Sequence, residues 1–394
     1  MTHRVAIVGA GPSGFYAADG LLRANPDLHI DVIDRLPTPF GLVRAGVAPD
    51  HQGTKVVVRQ FDRLLAQPDL RFAGNIEVGR DLSWEELGEA YDAVIVAIGM
   101  VIDKKLGVPG EDLPHVWGSW RFVGWLNGHP DFRTGPDLSK VERVAIIGNG
   151  NVALDVARVL AKSADEMAKS DIVPEAGSAI ASAPIKDIHV IGRRGPENAS
   201  FTNNELGEMG RLMRAVAVTD ANGLDTIPPA SDSTPEKLRK TKNLQILKGF
   251  AGNKPGSKSL TVRFLFNSAP VAFAPGVVDL TSGKLEADLV ITCIGYAGEA
   301  FPRREDFFAV GWAKRGPTGT IPTNRAEGHA VAKQVIDWLA ERDPKSGPDI
   351  LPAAVDAAGW HRIDKHEVAA GSASGRPRVK LTDWQALLDV AQGG

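Results

Sequence analysis

The stretch VAIIGNGNVALDVARVL (Val144–Leu160) combines an apolar run, a glycine-containing turn and a segment with helical periodicity. That order predicts a buried strand, a tight turn and a helix. The same order occurs at VAIVGAGPSGFYAADGLL (Val5–Leu22), near the N-terminus. Strand-like runs alternate with helix-like segments elsewhere in the chain, which predicts an α/β fold. The predicted strands around the two turns include 29–34, 91–99, 140–148, 185–192 and 287–295.

The first turn carries Gly9, Gly11 and Gly14, which fit the pattern GxGxxG directly after a strand. In this pattern the first glycine permits the turn, the second lets a pyrophosphate approach the backbone, and the third allows close helix–strand packing. Asp34 follows 20 residues after Gly14, where a carboxylate accepts hydrogen bonds from a ribose. The alternative is a glycine turn selected for packing, with an aspartate that only ends a strand. The spacing favours a dinucleotide site.

The second turn keeps Gly148 and Gly150 but has Ala153 at the third position. The strand that follows ends in Arg193 and Arg194 instead of an acid. Two guanidinium groups can bind a phosphate, which a carboxylate would repel, so this turn predicts NADP(H) in preference to NAD(H). The long spacing requires an insertion, expected at 163–184 as a helix followed by a surface loop. The alternative is a solvated arginine pair beside a loop.

Composition narrows the class of protein further. The chain has 394 residues, 43% of them hydrophobic and 24% charged, with a net charge of −3. These values suit a globular protein of two domains and give no global reason to expect nucleic acid. The longest apolar run, 93–102, is about half of a membrane span, so we expect a cytoplasmic protein without a membrane partner.

Cys293 is the only cysteine, which excludes an internal disulfide, a CxxC redox pair and an iron–sulfur cluster held by four thiolates. Any electrons that this protein handles must therefore reside on a bound cofactor. Two dinucleotide sites without a redox cysteine indicate one tightly held flavin and one exchangeable nicotinamide. A flavin accepts hydride from a nicotinamide and can release the electrons singly.

Four longer segments resemble the signature segments of the adrenodoxin reductase-type NADPH–ferredoxin reductases. They are PFGLVRAGVAPDH (39–51), GNGNVALDVAR (148–158), GRRGPENASFTNNEL (192–206) and VGWAKRGPTGTI (310–321). The resemblance implies an α/β fold with two Rossmann-like domains, in which an NADP domain (103–296) is inserted into a discontinuous FAD domain (1–102 and 297–394). It also implies electron transfer from NADPH through FAD to a ferredoxin-type iron–sulfur protein.

The resemblance also assigns residues to the two cofactors. Those implied for FAD, beside the first glycine turn, are Ser13, Asp34, Leu42, Val78, Trp312, Gly319, Thr320 and Ile321. Those implied for NADP are Gly148, Asn149, Gly150, Asn151, Val152, Arg193, Arg194 and Glu205, with Gly319 to Ile321 also near the nicotinamide end. Trp312 could instead be ordinary core, and Glu205 could simply orient the arginine pair.

His51 and Glu208 match polar residues near the flavin in this family, and Asp155 lies on the helix of the second turn. We expect a catalytic role for all three, which for His51 could include proton transfer. Hydride transfer itself depends more on positioning than on a general base. His51 could instead be a packed residue at a helix start, and Glu208 an ordinary residue of a surface helix. No metal site is expected.

A basic segment of the insert is the candidate dock for an acidic ferredoxin. It contains Lys237, Arg239, Lys240, Lys242 and Lys248, although such a run is often only a solvated face. Two alternatives stay open: an NADPH-dependent reductase of quinones or other organic acceptors, and a redox sensor of NADPH. The connection after Tyr296 is shorter than the family usually has, and the oligomeric state stays open, with a monomer favoured.

Overall fold

The computed structural model of the protein describes residues 2–319 and 321–393. Its strands are β1 (Arg4–Val8), β2 (His29–Asp34), β3 (Leu70–Gly74), β4 (Ala93–Val96), β5 (Ile102–Asp103), β6 (Val116–Gly118), β7 (Arg143–Ile147), β8 (Asp187–Ile191), β9 (Ala215–Thr219), β10 (Leu260–Leu265), β11 (Pro270–Ala274), β12 (Val277–Leu280), β13 (Gly283–Glu286), β14 (Leu289–Thr292), β15 (Tyr296–Ala297) and β16 (Phe307–Ala309).

Its α-helices are α1 (Pro12–Ala24), α2 (Leu42–Ala45), α3 (Gln52–Lys55), α4 (Val58–Leu65), α5 (Trp84–Ala90), α6 (Ser119–Leu126), α7 (Asn151–Ala161), α8 (Ala164–Met167), α9 (Pro174–Ser182), α10 (Asn203–Met209), α11 (Thr234–Ala251), α12 (Trp312–Arg315), α13 (Ile321–Leu339), α14 (Ala357–Ala373) and α15 (Trp384–Gln392). One short 3-10 helix spans Pro196–Asn198.

The first sheet is parallel, with the strand order β16-β4-β1-β2-β3. Strands β1 and β4 lie at its centre, and their apolar side chains are fully buried because layers of helix cover both faces. Strand β16 comes from the C-terminal part of the chain, so both ends of the sequence build this sheet. Helix α13, which follows β16, packs along α1. The α/β class and the strands predicted at 29–34 and 91–99 are confirmed.

The second sheet is also parallel, with the order β6-β14-β7-β8-β10-β9. All its strands lie between Val116 and Thr292, so one continuous segment of chain builds it. The strands predicted at 140–148, 185–192 and 287–295 are confirmed as β7, β8 and β14. An antiparallel meander, β11-β12-β13, is attached to this part of the chain.

A two-stranded antiparallel ribbon connects the two parts. It pairs Tyr296 of β15 with Asp103 of β5, at the two places where the chain passes between the sheets. The division into 1–102 with 297–394, and 103–296, remains a prediction. The membership of the strands in the two sheets and the position of this ribbon support it.

Two segments differ from the sequence-based expectation. The surface loop expected within 163–184 contains α9, and Ile172 and Val173 are buried. They are buried because this segment lies against the first part of the chain, where the N–H of Asp171 donates to the carbonyl of Pro49 at 3.1 Å. The sequence GSASGRPRVKL (371–381) predicts an exposed connector before a short helix, but Lys380 in this segment is buried. None of the described helices combines the length and apolar character needed to cross a bilayer.

Candidate functional site

The glycines of the first turn serve two purposes. A Cβ on Gly9 would lie 2.4 Å from the carbonyl oxygen of Ala97, and one on Gly14 would lie 2.1 Å from that of Gly9. Both positions therefore exclude a side chain through packing alone. A Cβ on Gly11 would meet no atom within 4 Å. Gly11 faces open space immediately before α1, so the site fits a pyrophosphate at the helix N-terminus.

Asp34 ends β2 beside this turn. Its carboxylate accepts the N–H of Ala10 at 2.7 Å and the N–H of Leu36 at 2.9 Å. Burial raises the pKa of Asp34, although these two N–H groups oppose the shift. The two hydrogen bonds fix the carboxylate next to the glycine turn and leave it further lone pairs, which suits a ribose hydroxyl.

Of the other residues implied for FAD, Leu42 and Ser13 lie close to the same turn, whereas Val78 does not contact it. The loop before α2 has positive φ angles at Phe40 and Gly41, and it places Leu42 at the start of that helix. A Cβ on Gly311 would lie 2.0 Å from the Oγ of Ser13, so the chain that leads into α12 passes directly over α1. Val78 packs in the apolar cluster on the other face of the first sheet.

Trp312 begins α12, and its indole N–H donates to the carbonyl of Thr318 at 3.0 Å. Its ring stacks on Tyr296, with centroids 5.9 Å apart. Tyr296 belongs to the connecting ribbon and was not among the predicted site residues. Gly319 has φ +83°, and Ile321 begins α13. Thr320 lies outside the described residues.

The second turn repeats this geometry at the start of α7. A Cβ on Gly148 would lie 2.3 Å from the carbonyl oxygen of Cys293, whereas the nearest atom to one on Gly150 would be the Oγ of Ser200 at 3.5 Å. Gly150 is thus the open position, and the methyl of Ala153 is accommodated in the core. The buried Oδ1 of Asn149 has no hydrogen-bond partner among the described residues, which fits a site completed by a ligand.

Arg193 and Arg194 follow β8 and are exposed at the same end of the sheet as the second turn. Within residues 2–319 and 321–393, neither guanidinium group makes a hydrogen bond or an ion pair with the protein. Both therefore have donors available for a phosphate. Asn151 and Val152 lie in the first turn of α7, where the Oδ1 of Asn151 accepts the N–H of Thr202 at 2.8 Å.

The three residues predicted to be catalytic meet in one cluster between the two parts of the chain. The Nε2 of His51 lies 3.0 Å from a carboxylate oxygen of Glu208. The Nδ1 of His51 lies 3.6 Å from Glu205 and 3.8 Å from Asp155. Glu205 was assigned to NADP, and here it also faces His51. The imidazole thus connects the more exposed Glu208 with two more deeply placed carboxylates.

Arg158 is the centre of this cluster and was not among the predicted site residues. It is fully buried, and its guanidinium lies 2.8 Å from Asp50, 2.7 Å from Asp155 and 2.8 Å from Glu205. Lys162 also contacts Asp50, at 2.7 Å. The available signal was the position of Arg158 on α7, three residues after Asp155 and on the same face.

The carboxylates of the cluster are strongly coupled. Burial and the neighbouring carboxylate of Asp155 raise the pKa of Glu205 to about 7, against the opposing effect of Arg158. Burial also raises the pKa of Asp155. At Asp50 the effect of burial is outweighed by the hydrogen bond from Arg158, so its pKa lies well below the usual range. The cluster can therefore hold a proton near neutral pH.

One group of atoms in the described residues has the spacing of a metal site. Single ligand atoms of His51, Glu205 and Glu208 lie within 4.8 Å of one another. The guanidinium of Arg158 already lies against Glu205 and Glu208 and supplies positive charge there. The geometry gives no separate reason to assign a metal.

The predicted basic dock is only partly available at the surface. Lys240 is buried and pairs with Asp232 at 2.7 Å, so its assignment as a docking residue is wrong. The reason is that the turn-rich loop before α11 folds back over this lysine. Arg239 donates to the carbonyl of Phe201 at 2.7 Å, and Lys237 to that of Ala230 at 2.9 Å. The remaining two lysines are exposed, Lys242 and Lys248, the latter 2.7 Å from Asp225.

The fold and the two open glycine turns define a class, the α/β oxidoreductases that bind two dinucleotides. A sequence profile of the pyridine nucleotide-disulphide oxidoreductases matches residues 3–186. The chain is 37% identical to NADPH-ferredoxin reductase FprA of Mycobacterium tuberculosis, over 99% of both chains. It is 33% identical to the mitochondrial NADPH:adrenodoxin oxidoreductase of Arabidopsis thaliana, over 98% of this chain and 95% of that protein.

The structure of M. tuberculosis FprA in complex with NADPH superposes over the full length of both chains, with a TM-score of 0.92 and 35% identity. The chain belongs to the adrenodoxin reductase-type family of NADPH–ferredoxin reductases. Its alignment with FprA spans 461 positions, more than the 394 residues of this chain, so FprA has segments that are absent here.

Proposed function

We propose that this protein is an FAD-dependent NADPH–ferredoxin oxidoreductase, which takes hydride from NADPH and delivers single electrons to a ferredoxin-type iron–sulfur protein. The observation that carries the proposal is the difference between the two open turns. Asp34 follows the first, and the unpaired Arg193 and Arg194 follow the second. One turn thus suits an unphosphorylated ribose, and the other suits a 2′-phosphate.

FAD would lie on the first turn. Gly11 leaves room for its pyrophosphate, the N-terminus of α1 faces the phosphate charge, and Asp34 binds the ribose. The FAD site would be completed by the other residues that the family resemblance implies, namely Ser13, Leu42, Val78, Trp312, Gly319 and Ile321. When bound, FAD supplies a two-electron acceptor that can release its electrons one at a time.

NADP(H) would lie on the second turn. Gly150 leaves room for the pyrophosphate, and Arg193 and Arg194 would bind the 2′-phosphate in fork geometry. The unpartnered Oδ1 of Asn149 can accept a hydrogen bond from the coenzyme. Glu205 lies beside His51, in the cluster where the insert meets the N-terminal part of the chain. Its position suits a contact with the nicotinamide half of the coenzyme.

His51 would move protons in this enzyme. Reduction and reoxidation of a flavin change the number of protons held near it, and a proton needs a route to solvent. His51 lies between Glu208, whose side chain is 31% exposed, and the pair Asp155 and Glu205. Either nitrogen of its ring can hold the proton, so the imidazole can exchange one between the two sides.

The partner would be an acidic iron–sulfur protein that docks by charge, because small electron-transfer interfaces depend on complementary surface potential. On α11, Lys242 is the lysine of the predicted dock that is exposed and makes no ion pair within the described residues. We therefore propose that Lys242 contributes to this surface. The oligomeric state stays open.

The proposal is tested by anaerobic stopped-flow spectroscopy of the purified, flavin-loaded protein. Mixing with NADPH should bleach the flavin absorbance rapidly, and mixing the reduced enzyme with a ferredoxin should restore it. A quinone offered at the same concentration should react more slowly. Faster turnover with the quinone would favour a diaphorase. Slow bleaching by NADPH would favour a redox sensor and contradict the proposal.

A further inference from the structure

A buried ion cluster lies away from the two glycine turns. The ammonium groups of Lys55 and Lys380 contact the carboxylate of Asp171, at 2.7 and 3.1 Å. Both also donate to the Oδ1 of Asn127, at 3.1 Å each. The Nζ of Lys380 further donates to the main-chain carbonyl of Arg44 at 3.0 Å. No residue of this cluster has a role in the proposed reaction.

The cluster joins three separate segments of the chain. Lys55 belongs to the N-terminal part, Asn127 and Asp171 belong to the insert, and Lys380 belongs to the C-terminal part. Neighbouring contacts connect the same segments, since the guanidinium of Arg376 donates to the carbonyl of Ile172 at 2.9 Å. The cluster is therefore at the boundary between the two sheets.

Lys380 also contacts the FAD loop, defined as residues 40–45, which comprises Phe40, Gly41 and helix α2 with Leu42. Its acceptor is the carbonyl of Arg44, which lies in α2 with Leu42. The side chain of Arg44 forms a two-pronged ion pair with Glu367. Phe40, at positive φ just before this helix, is in a conformation that a non-glycine residue adopts only when its surroundings hold it. Lys380 is one of the groups that hold this loop.

Electrostatics make the cluster most sensitive to the loss of its carboxylate. Burial alone would raise the pKa of Asp171, but Lys380 and Lys55 outweigh it and lower that pKa to about 2. Burial lowers the pKa of both lysines. Removing the carboxylate would leave two buried ammonium groups without a counter-charge, which is strongly destabilising. Removing Lys380 instead leaves Lys55 and Asp171 as a matched pair, so such a variant can fold.

We propose that Lys380 is a positioning residue that couples FAD binding to the packing of the insert (103–296) against the rest of the chain. Its single ammonium group contacts both the FAD loop and Asp171 of the insert. The inference rests on the proposed function. Because Lys380 contacts both sides, its removal should loosen FAD and should also misalign the nicotinamide half of NADP with the flavin. The adenosine half of NADP binds within the insert alone and is not affected.

The test compares wild type with Lys380→Met, both loaded with FAD. Release of FAD, followed by the recovery of free-flavin fluorescence, should become faster in the variant. The dissociation constant of NADP+ should rise about tenfold, within the range of 5- to 150-fold that couplings between sites produce in equilibrium affinities. That of 2′,5′-ADP, which has the 2′-phosphate but no nicotinamide, should stay unchanged.

Lys345→Met is the matched control. The Nζ of Lys345 also donates to main-chain carbonyls, those of Gly88 and Tyr91 at 2.7 and 2.6 Å, but all three residues lie outside the insert, at the end of α5 and in the loop after α13. The unfolding temperature of this variant should be lower than that of wild type. The ratio of its dissociation constants for NADP+ and 2′,5′-ADP should be unchanged. A second test variant, Asn127→Ala, removes a shared acceptor and should change the NADP+ constant in the same direction as Lys380→Met.

Three outcomes would overturn the inference. The first is unchanged FAD release in Lys380→Met, and the second is equal weakening of NADP+ and 2′,5′-ADP binding in that variant. The third is that Lys345→Met also shows faster FAD release with weaker NADP+ binding. If Lys380→Met does not fold, Asn127→Ala decides the question by the same criteria. Failure of the wild-type protein to bind FAD or NADP+ would instead contradict the proposed function. The two kinds of failure are thus distinguishable.

Discussion

Arg193 and Arg194 are two exposed cations at the end of β8 with no partner in the described part of the protein. Keeping two like charges side by side is unfavourable unless a ligand uses them. Glu205 has the opposite character, because it is a carboxylate whose neighbours include two other acids, Asp155 and Glu208, and the buried Arg158. Substitution of the arginine pair therefore tests coenzyme preference, and substitution of Glu205 tests the pH dependence of stability.

The first prediction concerns coenzyme choice. Each charge-assisted hydrogen bond to a phosphate contributes about 1.5–3 kcal/mol, which implies at least a tenfold preference for NADPH over NADH. The double variant Arg193→Ala with Arg194→Ala should lose most of this preference through a higher KM for NADPH. The measurement is kcat/KM for both coenzymes with a dye as acceptor. Lys186→Ala, which removes an exposed cation paired with Glu142, is the control. An unchanged ratio in the double variant would place phosphate recognition elsewhere.

The second prediction concerns pH and stability. The pKa of Glu205 is raised from 4.5 to about 7, so the folded protein holds this proton more tightly than the unfolded chain does. The resulting stabilisation is complete below the unfolded value and is lost as pH rises through about 7. Glu205→Gln stays neutral throughout. Its unfolding temperature should exceed that of wild type at pH 8, and the difference should shrink towards pH 5. A difference that grows as the pH falls would contradict this assignment.

At the scale of elements, both strand–turn–helix units are formed by local sequence, and their glycines divide into two kinds. Gly9, Gly14 and Gly148 are required because another part of the backbone lies where a Cβ would be. Gly11 and Gly150 have no such backbone neighbour. Folding alone therefore does not require a glycine at the latter two positions, but the approach of a pyrophosphate does.

The third prediction follows from this division. Gly11→Val should fold with a circular dichroism spectrum like that of wild type, yet purify without the yellow colour of bound FAD. Gly14→Val, by contrast, should fail to fold or should unfold at a much lower temperature, because its side chain would collide with the carbonyl of Gly9. Full FAD occupancy in Gly11→Val would contradict the assignment of the first turn.

Features encoded by neighbouring residues could be predicted from the sequence, whereas features that depend on distant contacts could not. The two turns, their strands and the class of fold were predictable, because periodicity and glycine spacing are encoded within about 30 residues. The burial of Lys240 was not predictable, since it depends on the loop that brings Asp232 over α11. Lys380 was also missed, because its partners lie far away in sequence and have no fixed spacing. For Arg158 the spacing to Asp155 on α7 was the one local signal, whereas its partners Asp50 and Glu205 lie far away in sequence. For the site residues, contacts with cofactors stay predictions.

At the scale of the whole molecule, an overall negative protein must present a local positive surface to an acidic partner. The net charge is −3, so long-range attraction is weak, and the interaction depends on a few exposed cations. Salt screens exposed charges beyond about 10 Å at 0.1 M, which makes such an interaction strongly dependent on ionic strength.

The fourth prediction contrasts two lysines of α11. Lys242→Glu should slow the reduction of an acidic ferredoxin several-fold at low salt, with a smaller effect at high salt and none on the reduction of an uncharged dye. Lys240→Glu should instead lower the unfolding temperature, because it places a carboxylate against Asp232 in a buried position. Stopped-flow rates and thermal unfolding check the two variants. Equal rates for Lys242→Glu and wild type at low salt would remove Lys242 from the docking surface.

The strand order of the first sheet also determines how a growing chain can fold on the ribosome. Strand β4 emerges early, but β16, which covers its outer edge, follows about 210 residues later. At 5–20 residues per second this delay is roughly 10–40 s. The six strands of the second sheet are all synthesised within that interval. The second sheet can therefore be complete while the first still presents an unpaired strand edge at β4, which is prone to mispairing. During synthesis, the first sheet is thus the part of the fold that is exposed to mispairing for longest.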